Sequence, residues 1–82
     1  MYFVYIIYSA HRDVYYKGFT ENLQRRLESH RELKSTYTSQ VNDWVLVYAK
    51  EFEFKTDALK EEKRLKKLNR KSILKLIGIE PG

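Results

Sequence analysis

The chain has 82 residues, of which 43% are hydrophobic and 15% aromatic; this builds one compact domain with one core and excludes both a separate regulatory domain and a disordered chain. There is no cysteine, so a disulfide framework and a thiolate metal site are excluded, a zinc site would have to be assembled from His11, His30 and carboxylates, and any metal is expected on oxygen ligands. A net charge of +5 and a pI near 9.5 favour a polyanionic partner, and half of the sixteen basic residues (Lys60, Lys63, Arg64, Lys66, Lys67, Arg70, Lys71 and Lys75) fall in one C-terminal stretch.

Tyr2 to Tyr8 is a run of β-branched and aromatic residues and reads as a strand. Both alternating sets, Tyr2/Val4/Ile6/Tyr8 and Phe3/Tyr5/Ile7, are apolar, as in a central strand covered on both faces, so helices are expected on each side of the sheet. The same segment lacks the basic start and small-residue cleavage site of a secretory leader, and no apolar run approaches the roughly 20 residues that span a bilayer. A cytoplasmic location without membrane association is the expectation. The polar stretch Ser9-Ala10-His11-Arg12-Asp13 then turns the chain into a second strand, Val14 to Phe19.

Thr20 is a candidate N-cap for a helix over about Glu21 to Glu32, with Glu21 at the positive end of the dipole and Leu23 and Leu27 on the buried stripe. Leu33 to Asp43 loses periodicity and reads as a long loop. Trp44 to Phe52 is the third strand, with Trp44 assigned to packing at its head. Thr56 is the expected cap of a second helix from about Asp57, with Ala58, Leu65 and Leu68 inward, and a short last helix follows on Ile73, Leu74, Leu76 and Ile77, stopped by Gly78. The expected fold is a single α/β (α+β) domain over residues 1–82, a small three-stranded antiparallel sheet flanked by helices in the order β-β-α-β-α-α.

No Gly-rich phosphate loop, serine elbow, histidine pair at helical spacing or zinc knuckle is present. The chemistry must rest on polar residues that interrupt the apolar stripes. Arg26 stands one turn from Leu23 and one from His30, so both flank the buried stripe. Glu62, four residues after Ala58 and three before Leu65, puts a carboxylate on the inward line, where it needs a partner. It either pairs with a cation such as Arg26 or holds a hard divalent ion, and Glu61 offers the same chemistry one residue away. The C-terminal basic residues serve either as phosphate contacts or as local ion-pair partners of Glu61 and Glu62.

These residues resemble the GIY-YIG nuclease superfamily over most of the chain. Phe3-Val4-Tyr5 looks like the first signature and Tyr16-Lys17-Gly18 like the second, with ten residues between the two tyrosines. Phe3 stands where the family usually has glycine, and Lys17 where it has an aliphatic residue. Phe19 to His30 is similar to the helix that carries the family's essential arginine, at Arg26, and a frequent histidine, at His30; Asp57 to Lys63 is similar to the helix with its metal-binding glutamate, at Glu62. Asn69 matches a C-terminal asparagine loosely. The likeness extends to very short stand-alone members.

The resemblance implies an endonuclease that hydrolyses phosphodiesters, of DNA in the first place, in repair or recombination. Glu62 would hold one Mg²⁺ or Mn²⁺, Arg26 would grip the phosphate, Tyr5 would deprotonate or orient the attacking water, with Arg26 or the metal lowering its pKa, and Tyr16 would support Tyr5 or the phosphate. His30 would stand behind these groups or touch phosphate. Lys17, Arg25, Lys63, Lys66, Lys67 and Arg70 are the candidate nucleic-acid contacts. Two other classes fit the same residues: a nucleic-acid-binding module that no longer cuts, and a protein-interaction adaptor using the Phe52/Phe54 edge. Both a monomer and a homodimer are compatible with the sequence.

Overall fold

The computed structural model describes residues 1–31 and 43–78, apart from the side chains of His30 and Arg31. The expected loop from Leu33 therefore lies outside the described residues except for Asp43. The elements follow the expected order: β1 (Tyr2–Ser9), β2 (Val14–Thr20), α1 (Leu23–Arg31), β3 (Val45–Phe52), α2 (Lys55–Lys66) and α3 (Arg70–Leu76). The strands form one antiparallel sheet in the order β2-β1-β3, so the doubly apolar β1 is central.

Side-chain alternation along β1 sorts the core into two layers. Val4 and Ile6 pack with Ala58 and Leu65 of α2 and Ile73 of α3, whereas Tyr5 and Ile7 pack with Trp44, against Leu23 and Leu27 of α1. Helices thus cover both sides, as the pattern of β1 requires. Each fully buried aliphatic side chain in these layers stabilises the fold by about 1.5–3 kcal/mol. On β3 the register slips between Ile6, opposite Tyr48, and Ile7, opposite Leu46, a bulge that lets Val47 join the α2 layer.

The helix starts differ from the expected ones. Asn22, not Thr20, caps α1: its Oδ1 accepts from the backbone N–H of Arg25 at 3.0 Å. Thr20 ends β2, and its hydroxyl accepts from the Asn22 N–H and donates to the Asn22 carbonyl, closing the strand-to-helix turn. Glu21 consequently lies ahead of the helix. α2 begins at Lys55 after Phe54, which has extended backbone and no capping side chain, so Thr56 is already helical. Packing of Ala58 and Leu65 holds this helix in the absence of a polar cap. Asn69 caps α3 by accepting from the Ser72 N–H at 2.9 Å, and Gly78 ends it at φ 85°.

Two carboxylates anchor the β1–β2 turn. Asp43 accepts from the buried Ser9 hydroxyl at 2.7 Å and from the His11 N–H at 2.8 Å, and Asp13 accepts from Tyr8 Oη at 2.7 Å and from Arg70 of α3. Ser9 pulls the Asp43 carboxyl below the ordinary value of 3.8, and Tyr8 followed by Arg70 does the same for Asp13. A carboxyl depressed by folding contributes stability that is present above its unfolded pKa and is lost as pH falls through the folded one. Acid should therefore weaken the fold progressively below about pH 4, and Asp43→Asn should reduce that slope. Urea midpoints across this range check it; an unchanged slope in Asp43→Asn removes Asp43 from the account.

Candidate active site

The site begins at a strand residue with no side chain. Gly18 of β2 lies directly opposite Tyr5, and opposed residues of an antiparallel pair project to the same side. The Tyr5 ring lies across Gly18, so closely that a Cβ at position 18 would sit 2.3 Å from Tyr5 Oη and 2.4 Å from Cζ. Glycine is needed here for close approach, not for turning. The gap lets a phenol rooted in the central strand carry its hydroxyl out to β2, the outer strand on that side.

Helix α1 brings a guanidinium to the same point. Leu23 and Leu27 pin the helix on the Tyr5/Ile7/Trp44 layer, and Arg26 between them donates from Nε to Tyr5 Oη at 3.3 Å. That bond, with a smaller contribution from Tyr16, raises the Arg26 pKa further above its ordinary value and secures the positive charge. Tyr16, half-buried, meets Trp44 edge-on with ring centroids 6.4 Å apart, so Trp44 backs the second tyrosine as well as filling the core. Burial raises the Tyr5 pKa above 10; Arg26 pulls the other way and loses, while Tyr16 and Glu62 add to the rise. Arg26 acts on Tyr5 in the expected direction, but desolvation of a 1% exposed phenol outweighs it.

The two adjacent glutamates of α2 part company. Glu61 is bound to Arg64 at 2.6 and 2.9 Å and accepts from Tyr48 Oη of β3 at 3.1 Å, a closed local network on the β3 side. The charge of Glu62 is instead one of the influences on the Tyr5 phenol. The Glu62 side chain is 20% exposed and has Lys66 at 3.5 Å. Tertiary contacts thereby separate two carboxylates that the sequence leaves equivalent. Although α2 covers the opposite side of the sheet from α1, the Glu62 charge acts on Tyr5, whose hydroxyl projects over the side-chain-free Gly18 at the β2 edge.

The structure brings Tyr5, Tyr16 and Arg26 together, while Glu62 is joined to them only through the effect of its charge at Tyr5. The His30 side chain is outside the described residues. Lys17 is opposite Ile6 and therefore stands on the α2 side, away from Tyr16 and Gly18. Arg25, Lys63 and Lys67 are exposed, whereas Lys66 is paired with Glu62. Arg70 is committed to Asp13 and lies over the Tyr15 ring, 5.3 Å from its centroid, so it fastens α3 to the β1–β2 turn. Thr20, Asn22, Arg25, Arg26 and Ser29 line an open hollow of about 160 Å³ beside the site. Sequence reading missed Ser29 and the spatial role of Gly18; glycine inside a strand is the one signal that could have found the latter.

With this geometry in place, the comparisons with known proteins are direct. Residues 1–75 match the GIY-YIG catalytic domain. A UPF0213 protein of Oceanobacillus iheyensis is 38% identical over 79 residues, covering 95% of this chain and 91% of the relative, and one of Staphylococcus haemolyticus is 33% identical over 76 residues, covering 92% of each. The solution NMR structure of the UPF0213 protein BH0048 from Bacillus halodurans superposes with a TM-score of 0.62 at 28% identity, covering all of this chain and 88% of that one. The chain belongs to the GIY-YIG family, among its small stand-alone UPF0213 members. Membership supports an endonuclease kind of function with nucleic acid as partner. No helix among the described residues is long and apolar enough to cross a membrane.

Proposed function

We propose that the chain is a divalent-metal-dependent endonuclease that hydrolyses phosphodiester bonds of nucleic acid, with DNA as the first substrate to test. The observation that carries this reading is the Arg26–Tyr5 contact over Gly18, within reach of the charge of Glu62. Arg26 presents the fork that suits a phosphate, and its anchored Nε fixes the direction of the rest. Tyr5, which burial makes less acidic, orients the attacking water by hydrogen bonding. Tyr16 steadies Arg26, and His30 follows on the same helix as a further phosphate or positioning group.

Among the described residues no cluster of three metal-ligating side chains exists. A single accessible carboxylate fits Mg²⁺ or Mn²⁺ nonetheless, because magnesium keeps several waters and takes one or two carboxylates plus phosphate oxygens. Glu62 would hold it, and the ion would supply charge neutralisation at the phosphate and a more acidic bound water. Lys17, Arg25, Lys63 and Lys67 contribute to backbone binding, and Lys66 and Arg70 to the surrounding positive field. All the named groups belong to one chain, so a monomer suffices, and a cytoplasmic role in DNA repair or recombination accompanies this reading.

The test incubates the protein with plasmid, flap, junction and RNA substrates, with and without Mg²⁺ or Mn²⁺. Cutting that requires the metal and drops at least about 100-fold in Glu62→Gln is expected. The Glu62–Lys66 pair favours a second reading, a non-catalytic nucleic-acid module in which that carboxylate is structural. Salt-dependent binding without cutting of any substrate decides for it.

A further inference from the structure

The hollow beside the site has its own chemistry. Among the described residues no carboxylate lines it: they are two arginines, two hydroxyl residues and one amide, Arg25, Arg26, Thr20, Ser29 and Asn22. Arg26 spends its Nε on Tyr5, which ties its guanidinium to the site at the β2 edge. Arg25 is exposed, and its guanidinium makes no hydrogen bond or ion pair with any described residue; the nearby acidic side chain of Glu28 is turned to Gln24 at 3.1 Å instead. Consecutive residues of a helix diverge by about 100°, so Arg25 and Arg26 enter the hollow from different walls. Two forks set apart in this way suit two separate oxyanions better than one.

We infer that this hollow receives the phosphate that neighbours the scissile phosphate on the same strand, with Arg25 as its principal ligand and Ser29 as a hydroxyl donor. The inference rests on the endonuclease reading and deepens it: the preferred substrate is a strand with phosphates on successive nucleotides, and an isolated phosphodiester binds only half of the available charge. Arg25 then acts on affinity and not on the chemical step.

The experiment compares thymidine 3′,5′-bisphosphate with thymidine 5′-monophosphate by NMR titration of the metal-free protein, so it does not depend on cutting. The bisphosphate should bind about tenfold more tightly, the scale of one charge-assisted contact to a second phosphate. In Arg25→Gln that advantage should vanish, and in Arg25→Lys it should survive in part, since lysine keeps the charge and loses the fork. The exposed position makes both variants foldable, which circular dichroism verifies. With a single-stranded oligonucleotide, Arg25→Gln should also reduce the slope of log affinity against log salt by about one. No bisphosphate advantage in the parent protein, or an advantage that persists in Arg25→Gln, overturns the subsite. An Arg25-dependent advantage in a protein that cuts nothing upholds the subsite and defeats the endonuclease reading alone.

Discussion

Arg26→Ala should lower cleavage about 10²- to 10³-fold, with the loss mainly in kcat, because a donor aimed at developing phosphate charge acts more strongly in the transition state than on bound substrate. Arg26→Lys should recover little of it. An ammonium cannot hold Tyr5 Oη and offer a fork to the phosphate at once, whereas the guanidinium bonds Tyr5 Oη through Nε at 3.3 Å and carries further donors in a fixed plane. Stability should change far less, since the residue is half-buried and one hydrogen bond contributes about 1 kcal/mol. Single-turnover rates and urea midpoints measured on the same preparations separate the two effects. Cleavage by Arg26→Ala within about fivefold of the parent would remove Arg26 from the site.

The second large effect comes from a residue that touches no substrate. Gly18→Ala places a methyl 2.3–2.4 Å from the Tyr5 hydroxyl and its carbon, so the ring must move. It is confined by Ile7, Trp44, Leu23 and Leu27, and overpacking of that kind costs about 1–3 kcal/mol. Activity should suffer more than stability, because a displaced phenol leaves Arg26 without its anchor and a shift of about 1 Å can cost about 100-fold. The sign of the effect should reverse in a Tyr5→Leu background. There the clash is gone, and Gly18→Ala should be neutral or stabilise by up to about 1 kcal/mol as the strand loses a flexible residue. Urea midpoints of the four proteins give the coupling; additive effects would mean that the Tyr5–Gly18 approach is not what demands glycine.

Much of this fold is legible in the order of residue types. The two apolar faces of Tyr2 to Tyr8 call for a central strand with helices on both sides, and β1 is that strand. The helix caps are less legible, because Thr20 and Asn22 both suit the role and only the length of β2, which runs through Thr20, decides between them. Glu61 and Glu62 differ by one residue, and the choice falls to Tyr48 of β3, which occupies Glu61 from outside the local pattern and joins its helical partner Arg64. Arg70 looks like one more member of a basic stretch until the fold brings Asp13, 57 residues away, against it. The Tyr5–Gly18 approach depends on strand register, which no local pattern reveals; motif phase singles out Arg26, and the fold supplies its hydrogen-bond partner.

Asp13 illustrates how few amino acids one position can accept. Its backbone is in the left-handed region at φ 56°, where glycine, asparagine and aspartate are comfortable and most other residues are not. Its side chain must accept from Tyr8 and hold the Arg70 guanidinium. Glycine satisfies the backbone and loses both bonds, asparagine keeps the geometry without the charge, and glutamate keeps the charge on a side chain too long for a backbone that disfavours it. The alphabet at this turn narrows to a single letter, although the residue is exposed and lies outside the groups assigned to the chemistry.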